Sequence, residues 1–252
     1  MDSESPTAVV TGGTSGIGKA IATRLSHDGY RVVINYARDD QRAESALKDL
    51  RRAGGDGLLV KADIGRSGQA ARLIDETIKA FGRIDVVINN AAYVADAPAL
   101  DMTEAQWDRV MDVNLKGAFL VSQASARHML SQDSGGIILN IGSSTGIRGR
   151  RNGVNTCASK AGLIIMTQCL ALELAPKIRV NTIIPGLVIT DETRERFDLH
   201  DPDIQRQRET AVPLARLGTP DDVADAVALA ISSDARFMTG QKIIVDGGQN
   251  MW

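Results

Sequence analysis

Thr11-Gly12-Gly13-Thr14-Ser15-Gly16-Ile17-Gly18 joins a short run of β-branched residues to the first segment of helical periodicity. Gly12 permits a tight turn there. Gly16 and Gly18 remove the side chains that would hold a pyrophosphate off the backbone and a helix off a sheet. Helix-terminal N–H groups, backed by the helix dipole, then face an anion, with Thr14, Ser15 and Ile17 at the same turn. A plain strand-to-helix turn accounts for one of these glycines but not for all three. The spacing is Gly-x-x-x-Gly-x-Gly, distinct from the commoner Gly-x-Gly-x-x-Gly. Its place between strand and helix is the one a dinucleotide requires.

Outward from this turn the same alternation repeats. β-branched runs at 7–11, 31–36, 57–62, 84–89, 136–141, 179–184 and 241–245 are separated by helical periodicity at 16–27, 40–53, 68–81, 104–130, 155–175 and 221–232. Strands apolar on both faces predict a single doubly wound, Rossmann-type α/β domain over 1–252. Its seven-stranded parallel sheet is expected to carry helices on both faces. No repeat, low-complexity tract or linker marks a boundary. The stretch 190–214 has no clear pattern, is charged, and contains Pro202 and Pro213. A loop that long in a compact domain reads as a substrate lid, at about 190–213.

Composition excludes several function classes. The chain has 252 residues, 43% hydrophobic and 24% charged, with a formal net charge of −2. That apolar content offsets chain entropy and excludes disorder. The charge balance argues against a nucleic-acid partner. Two cysteines, Cys157 and Cys169, exclude a disulfide framework and a cysteine-based zinc site, and three histidines leave little for a His-rich centre. No metal is expected. Both cysteines fall in a helical segment that reads as buried. No apolar run reads as a bilayer span, and Met1–Pro6 is acidic, unlike a basic signal sequence. The expectation is a cytoplasmic protein with no membrane partner.

The end of the second strand bears on which dinucleotide binds. An Asp or Glu there holds the ribose 2′-hydroxyl of NAD, whereas NADP needs a cation for its 2′-phosphate. This strand ends Asn35-Tyr36-Ala37-Arg38, with no carboxylate before Asp39. Tyr36 brings no repulsion and Arg38 can clasp a phosphate bidentately. Arg38 as a solvated loop charge is the other reading. NADP(H) is expected as cofactor, ahead of NAD(H).

At this point nearly the whole chain resembles the short-chain dehydrogenase/reductase family, particularly its 3-oxoacyl-carrier-protein-reductase-like branch. Thr11–Gly18 matches the family's cofactor turn. Asp63-Ile64 stands where the family holds the adenine ring. Asn89-Asn90-Ala91-Ala92 looks like its Asn-Asn-Ala-Gly segment, with Ala92 in place of glycine. Asn114 occupies the position of the active-site asparagine and Ser143 that of the catalytic serine. Pro185-Gly186-Leu187-Val188-Ile189-Thr190 matches the segment beside the nicotinamide, and Val245-Asp246-Gly247-Gly248 the C-terminal signature. The resemblance implies that Ser143 hydrogen-bonds the substrate oxygen and Lys160 holds the nicotinamide ribose. It implies that Asn114 fixes a water near Lys160. In isolation the three read as a strand-end turn serine, a solvated helix charge and a helix-kink or cap residue.

One position departs. The family's Tyr-x-x-x-Lys pair, stacked on one helix face by its i,i+4 spacing, is here Thr156-Cys157-Ala158-Ser159-Lys160. The gap back to Ser143 is the usual one, so the alignment has not slipped. A tyrosine with its pKa lowered by a neighbouring ammonium donates a proton to the carbonyl oxygen as hydride arrives. Threonine has no ring to stabilise an oxyanion, is shorter, and does not ionise usefully. Loss of a positioned general acid costs about 10²–10⁴-fold in rate. The leading expectation is an NADP(H)-dependent oxidoreductase of a small carbonyl or alcohol substrate, impaired by Thr156. Open beside it are a substitution made to disable turnover, a non-catalytic NADP(H)-binding scaffold or regulator, and a reductase of imine-type substrates that needs no phenol.

Tyr93 reads as packing, with a cleft residue or a stand-in phenol donor as alternatives. Arg148, Arg150 and Arg151 read as a solvated loop near the cleft mouth, with attraction of an anionic substrate as the other reading. Arg127 could dock an acidic carrier, but Leu172 and Glu173 put an acyl-carrier substrate in doubt. The segments 113–130 and 154–175 are apolar around more of their circumference than a one-sided helix needs. With the C-terminus through Trp252, which the resemblance adds, they predict a homotetramer.

Overall fold

Burial on both faces turns the β-branched runs into strands, with every residue of Thr7–Val10 (β1) and Val86–Asn89 (β4) buried. The computed structural model describes residues 5–251. Residues 1–4 and 252 lie outside it, and with them most of the acidic start and Trp252. The other strands are Arg31–Tyr36 (β2), Gly57–Lys61 (β3), Gly136–Ile141 (β5), Ile178–Pro185 (β6) and Lys242–Val245 (β7). All pair in parallel in one seven-stranded sheet of order β3-β2-β1-β4-β5-β6-β7. The order reverses between β1 and β4, and a crevice opens where their C-terminal ends diverge.

Helices Gly16–His27 (α1), Asp40–Arg52 (α2) and Pro220–Ile231 (α10) cover one face. Ile21, Leu25, Leu50 and Val227 meet Val10, Ile34 and Ile183 there. Gln69–Phe81 (α3), Ala118–Ser131 (α5) and Val154–Leu174 (α7) cover the other, through Leu73, Ile74, Val121, Met129 and Leu170. Each such fully buried side chain contributes about 1.5–3 kcal/mol. A buried polar chain runs through the second layer. Asn89 donates to Ser122 and to Asn140 at 2.8 Å, and Asn140 donates to Thr167 at 2.8 Å.

Four expectations are corrected. The helix expected over 104–130 is Glu104–Met111 (α4), a π-helical turn over Asp112–Gly117, and α5. Periodicity does not show the turn, within which Asn114 hydrogen-bonds Tyr93 and Ser159, residues 21 and 45 positions away. The patternless stretch after residue 190 contains Asp191–Arg196 (α8) and Pro202–Thr210 (α9). Capping decides both: Thr190 and Thr193 form a capping box, and Asp201 accepts from the first-turn N–H of Asp203 ahead of Pro202 at N1. Cys157 is half-buried and Cys169 exposed, so the buried reading fails for both. Last, α7 is long and apolar enough by length and hydropathy to cross a membrane. Its polar residues Asn155, Thr156, Ser159, Lys160 and Thr167 are buried against the fold, which makes it a core helix of this domain.

Candidate active site

The first turn of α1 is open for an anion. Gly12 and Gly16 have φ of +61° and +51°, the left-handed region that side chains disfavour. Ser15, at the N-cap, makes no side-chain cap bond, and no acidic residue occupies the first turn. These N–H groups therefore have no side-chain partner of the kind that caps α4, α8, α9 and α10. Gly18 lets α1 approach the turn that follows β1. A Cβ there would stand 2.3 Å from the Gly12 carbonyl and 2.5 Å from Asn90 Nδ2, so it secures the turn against α1. Asn90 completes the turn by donating to the carbonyls of Thr11 and Gly12 at 3.0 and 3.1 Å.

This turn is one wall of a cavity of about 740 Å³ along the strand ends. Thr14, Ser15 and Ile17 lie at the turn, Tyr36 and Arg38 at the β2 end, Asp63 and Ile64 after β3, and Asn90 and Ala91 after β4. Pro185, Gly186, Val188 and Thr190 line it after β6. Gly186 lets this last segment pass close to Asp246, whose Cβ would be 2.7 Å from an added Cβ. Asp246 in turn accepts from Gly248 and Asn250 N–H groups, which orders the C-terminal turn. Burial works against the charge of Asp63, but Arg109, at 2.9 Å, outweighs it and holds the carboxyl below the usual carboxylate range.

At the β2 end the two nearby carboxylates are turned to other partners. Asp39 accepts from the Arg42 N–H as the cap of α2, and Asp40 accepts from Tyr36 Oη and Lys61. Neither lines the cavity, whereas Arg38 and Arg42 do.

Ser143, Thr156 and Lys160 line the same cavity on the β5 side. Ser143 follows β5, and its hydroxyl lies 3.0 Å from Thr145 Oγ1, at the start of the short helix Thr145–Arg148 (α6). Lys160 is buried, with Nζ donating to the Ile141 carbonyl at 2.7 Å. Loss of water around the ammonium pulls its pKa from 10.5 to about 8. A solvated helix charge does not describe it. Asn114 is not on the cavity wall. Its Oδ1 accepts from Tyr93 N–H at 2.7 Å, and its Nδ2 donates to the Tyr93 carbonyl and to Ser159 Oγ. Both Nδ2 hydrogens are thus spent on protein groups, while Oδ1 keeps a second lone pair. Tyr93 lines the cavity, with the Arg109 guanidinium 5.5 Å from its ring.

The cluster around Thr156 was not legible in the sequence. Its hydroxyl donates to Asp96 Oδ1 at 3.2 Å, while Arg150 grips both Asp96 oxygens at 2.6 and 2.7 Å. Arg196, from α8, donates to the same carboxylate. Arg150 is thus half-buried and ion-paired, unlike the solvated loop residue expected. Burial opposes the charge on Asp96, but Arg150, Arg196 and the Thr156 hydroxyl outweigh it and keep the carboxyl below the usual range. Asp96, Arg150 and Arg196 lie 54 and 100 positions apart, and no local pattern joins them.

The Enoyl-(Acyl carrier protein) reductase family model matches residues 12–250. The chain belongs to the short-chain dehydrogenase/reductase family of NAD(P)-dependent oxidoreductases. Within it, the 3-oxoacyl-[acyl-carrier-protein] reductase of Staphylococcus aureus is 38% identical over 97% of this chain and 98% of its own. The Staphylococcus epidermidis protein of the same name is 38% identical over the same shares. Among solved structures, acetoin dehydrogenase of Salmonella typhimurium is similar with a TM-score of 0.87 and 35% identity, over 97% of this chain and 95% of that one. A phenylalanine-to-leucine double mutant of a Serratia marcescens short-chain dehydrogenase/reductase has a TM-score of 0.89 and 30% identity, over 98% of each chain.

Proposed function

We propose that this protein is an NADP(H)-dependent oxidoreductase acting on a carbonyl or alcohol, with turnover limited by Thr156. The observation that carries the reading is one cavity walled by an uncapped helix turn at one end and by Ser143 and the Lys160 ammonium at the other. The residues present fit a nicotinamide dinucleotide. The α1 turn would hold the pyrophosphate, Arg38 and Arg42 the 2′-phosphate, Asp63-Ile64 the adenine, and Pro185–Thr190 with Asn90, Ala91 and Lys160 the nicotinamide end. Bound NADPH supplies a hydride. Ser143 donates a hydrogen bond to the substrate oxygen as negative charge develops on it. Lys160 adds positive potential beside it, and Asn114 acts as a positioning residue by fixing Tyr93 and Ser159.

Thr156 cannot replace a phenol as proton donor, because its hydroxyl already donates to Asp96. An ionised carboxylate at that distance also opposes loss of the hydroxyl proton. The segment 190–213 acts as the lid, tied down by Arg196 on Asp96. A cytoplasmic homotetramer fits the reading. Calorimetry with NADPH and NADH tests it: NADPH is expected to bind at least tenfold tighter. Binding of neither would overturn the proposal.

A further inference from the structure

The lid side of the cavity, where Asp191 and Glu192 also line the wall, holds a guanidinium that no described carboxylate pairs. Arg208, on α9, lines the cavity with its guanidinium 4.9 Å from the Phe197 ring centroid. Its Nε is buried with no hydrogen-bond partner, and no ion pair joins Arg208 to any described carboxylate. Arg196 flanks the same ring at 5.2 Å. It shares the half-buried Asp96 carboxylate with Arg150, and exposed Glu192 reaches Arg196 at 3.6 Å. Arg148 lines the cavity as well, exposed and unpaired among the described residues.

A buried N–H left without an acceptor is costly, and a guanidinium held on an aromatic face is already ordered for a planar or tetrahedral anion. The cofactor's 2′-phosphate does not answer this need. Arg38 and Arg42 follow β2, whereas α8 and α9 follow β6, on the other side of the β1/β4 crevice. Arg196 reaches Asp96, and Asp96 meets Thr156, which puts this charge on the substrate side of the cavity.

We propose that the substrate is an anion, a carbonyl compound bearing a carboxylate or phosphate, and that Arg208 receives that group on the lid side of the cleft. The proposal rests on the oxidoreductase reading and names the substrate class for the same site. Charge-assisted bonds to a half-buried guanidinium favour such a ligand over its neutral analogue by about tenfold or more.

Matched pairs test it by calorimetry at saturating NADP+, which fills the cofactor's own phosphate sites. One pair is 4-oxopentanoate and its methyl ester, the other glycerone phosphate and dihydroxyacetone. At least one anion is expected to bind tenfold or more tightly than its neutral partner, and the pair that responds distinguishes carboxylate from phosphate. Arg208→Gln is expected to erase that preference without weakening the neutral ligand, and Arg208→Lys to restore part of it. Equal binding within both pairs, or a preference that survives Arg208→Gln, overturns the proposal. If neither NADP+ nor NADPH binds, the oxidoreductase reading falls by itself. The same pairs titrated into the cofactor-free protein then decide the anion site alone.

Discussion

At the scale of single residues, Thr156 and Lys160 offer the most direct tests of the proposed oxidoreductase reading. Because the Thr156 hydroxyl is spent on Asp96, Thr156→Val is expected to leave the rate of NADPH oxidation within about twofold, whereas Thr156→Tyr raises it by about 10²–10⁴-fold. Steady-state assays over a panel of carbonyl substrates check both. If the tyrosine form gains nothing, the substrate needs no phenol, as an imine would not. Lys160 makes a pH prediction. Its folded pKa of about 8 lies below the usual 10.5, so between those values the unfolded chain binds more protons and stability rises with pH. The cost of burying the ammonium is complete below pH 8 and gone above about 10.5. The stability of Lys160→Met relative to the native chain, free of that cost but without the bond to the Ile141 carbonyl, is expected to be on the order of 3 kcal/mol more favourable at pH 7 than above pH 10.5. Urea titrations should show that advantage shrinking from pH 8 to 10.5, and an advantage constant across this window would contradict the assignment.

At the scale of elements, two devices hold the site together. The π-helical turn Asp112–Gly117 is tied to the strand-end segment by Asn114, which satisfies both backbone groups of Tyr93. Asn114→Ala leaves those groups without their partner, and each costs about 1–3 kcal/mol in a partly buried setting. Denaturant unfolding is expected to show the loss, with NADPH affinity reduced less than turnover. Asn114→Asp should fare no better, since an oxygen then faces the Tyr93 carbonyl. The α1 turn is the second device. Gly18→Ala places a methyl against the Gly12 carbonyl and is expected to destabilise by about 1–3 kcal/mol. It should also weaken NADPH binding at least tenfold, because the anion-facing amides move with that carbonyl. An alanine variant with native affinity would show that the close approach is relieved elsewhere.

At the scale of the whole molecule, the subunit leaves apolar side chains uncovered. Leu172 is 84% exposed and Ile165 58%, both on α7, while Phe237 and Leu229 stand out near α10. Light scattering is expected to give the mass of four 26.9 kDa chains. Leu172→Glu should lower that mass without changing the circular dichroism, because the side chain touches little within its own subunit; an unchanged tetramer would move the interface elsewhere. The sequence by itself determined the strands, most helices, the glycine turn and the parallel class of the sheet, because each rests on local periodicity or on a backbone angle that only glycine adopts freely. Resemblance to the family's motifs also marked Ser143, Thr156 and Lys160. Only the tertiary structure decided that Asn114 stands behind the cavity wall, that Arg150 is ion-paired, and that Asp96 receives the Thr156 hydroxyl. Those facts depend on charges brought together across the whole chain, where burial strengthens the attraction between them and removes the water that would otherwise solvate each one.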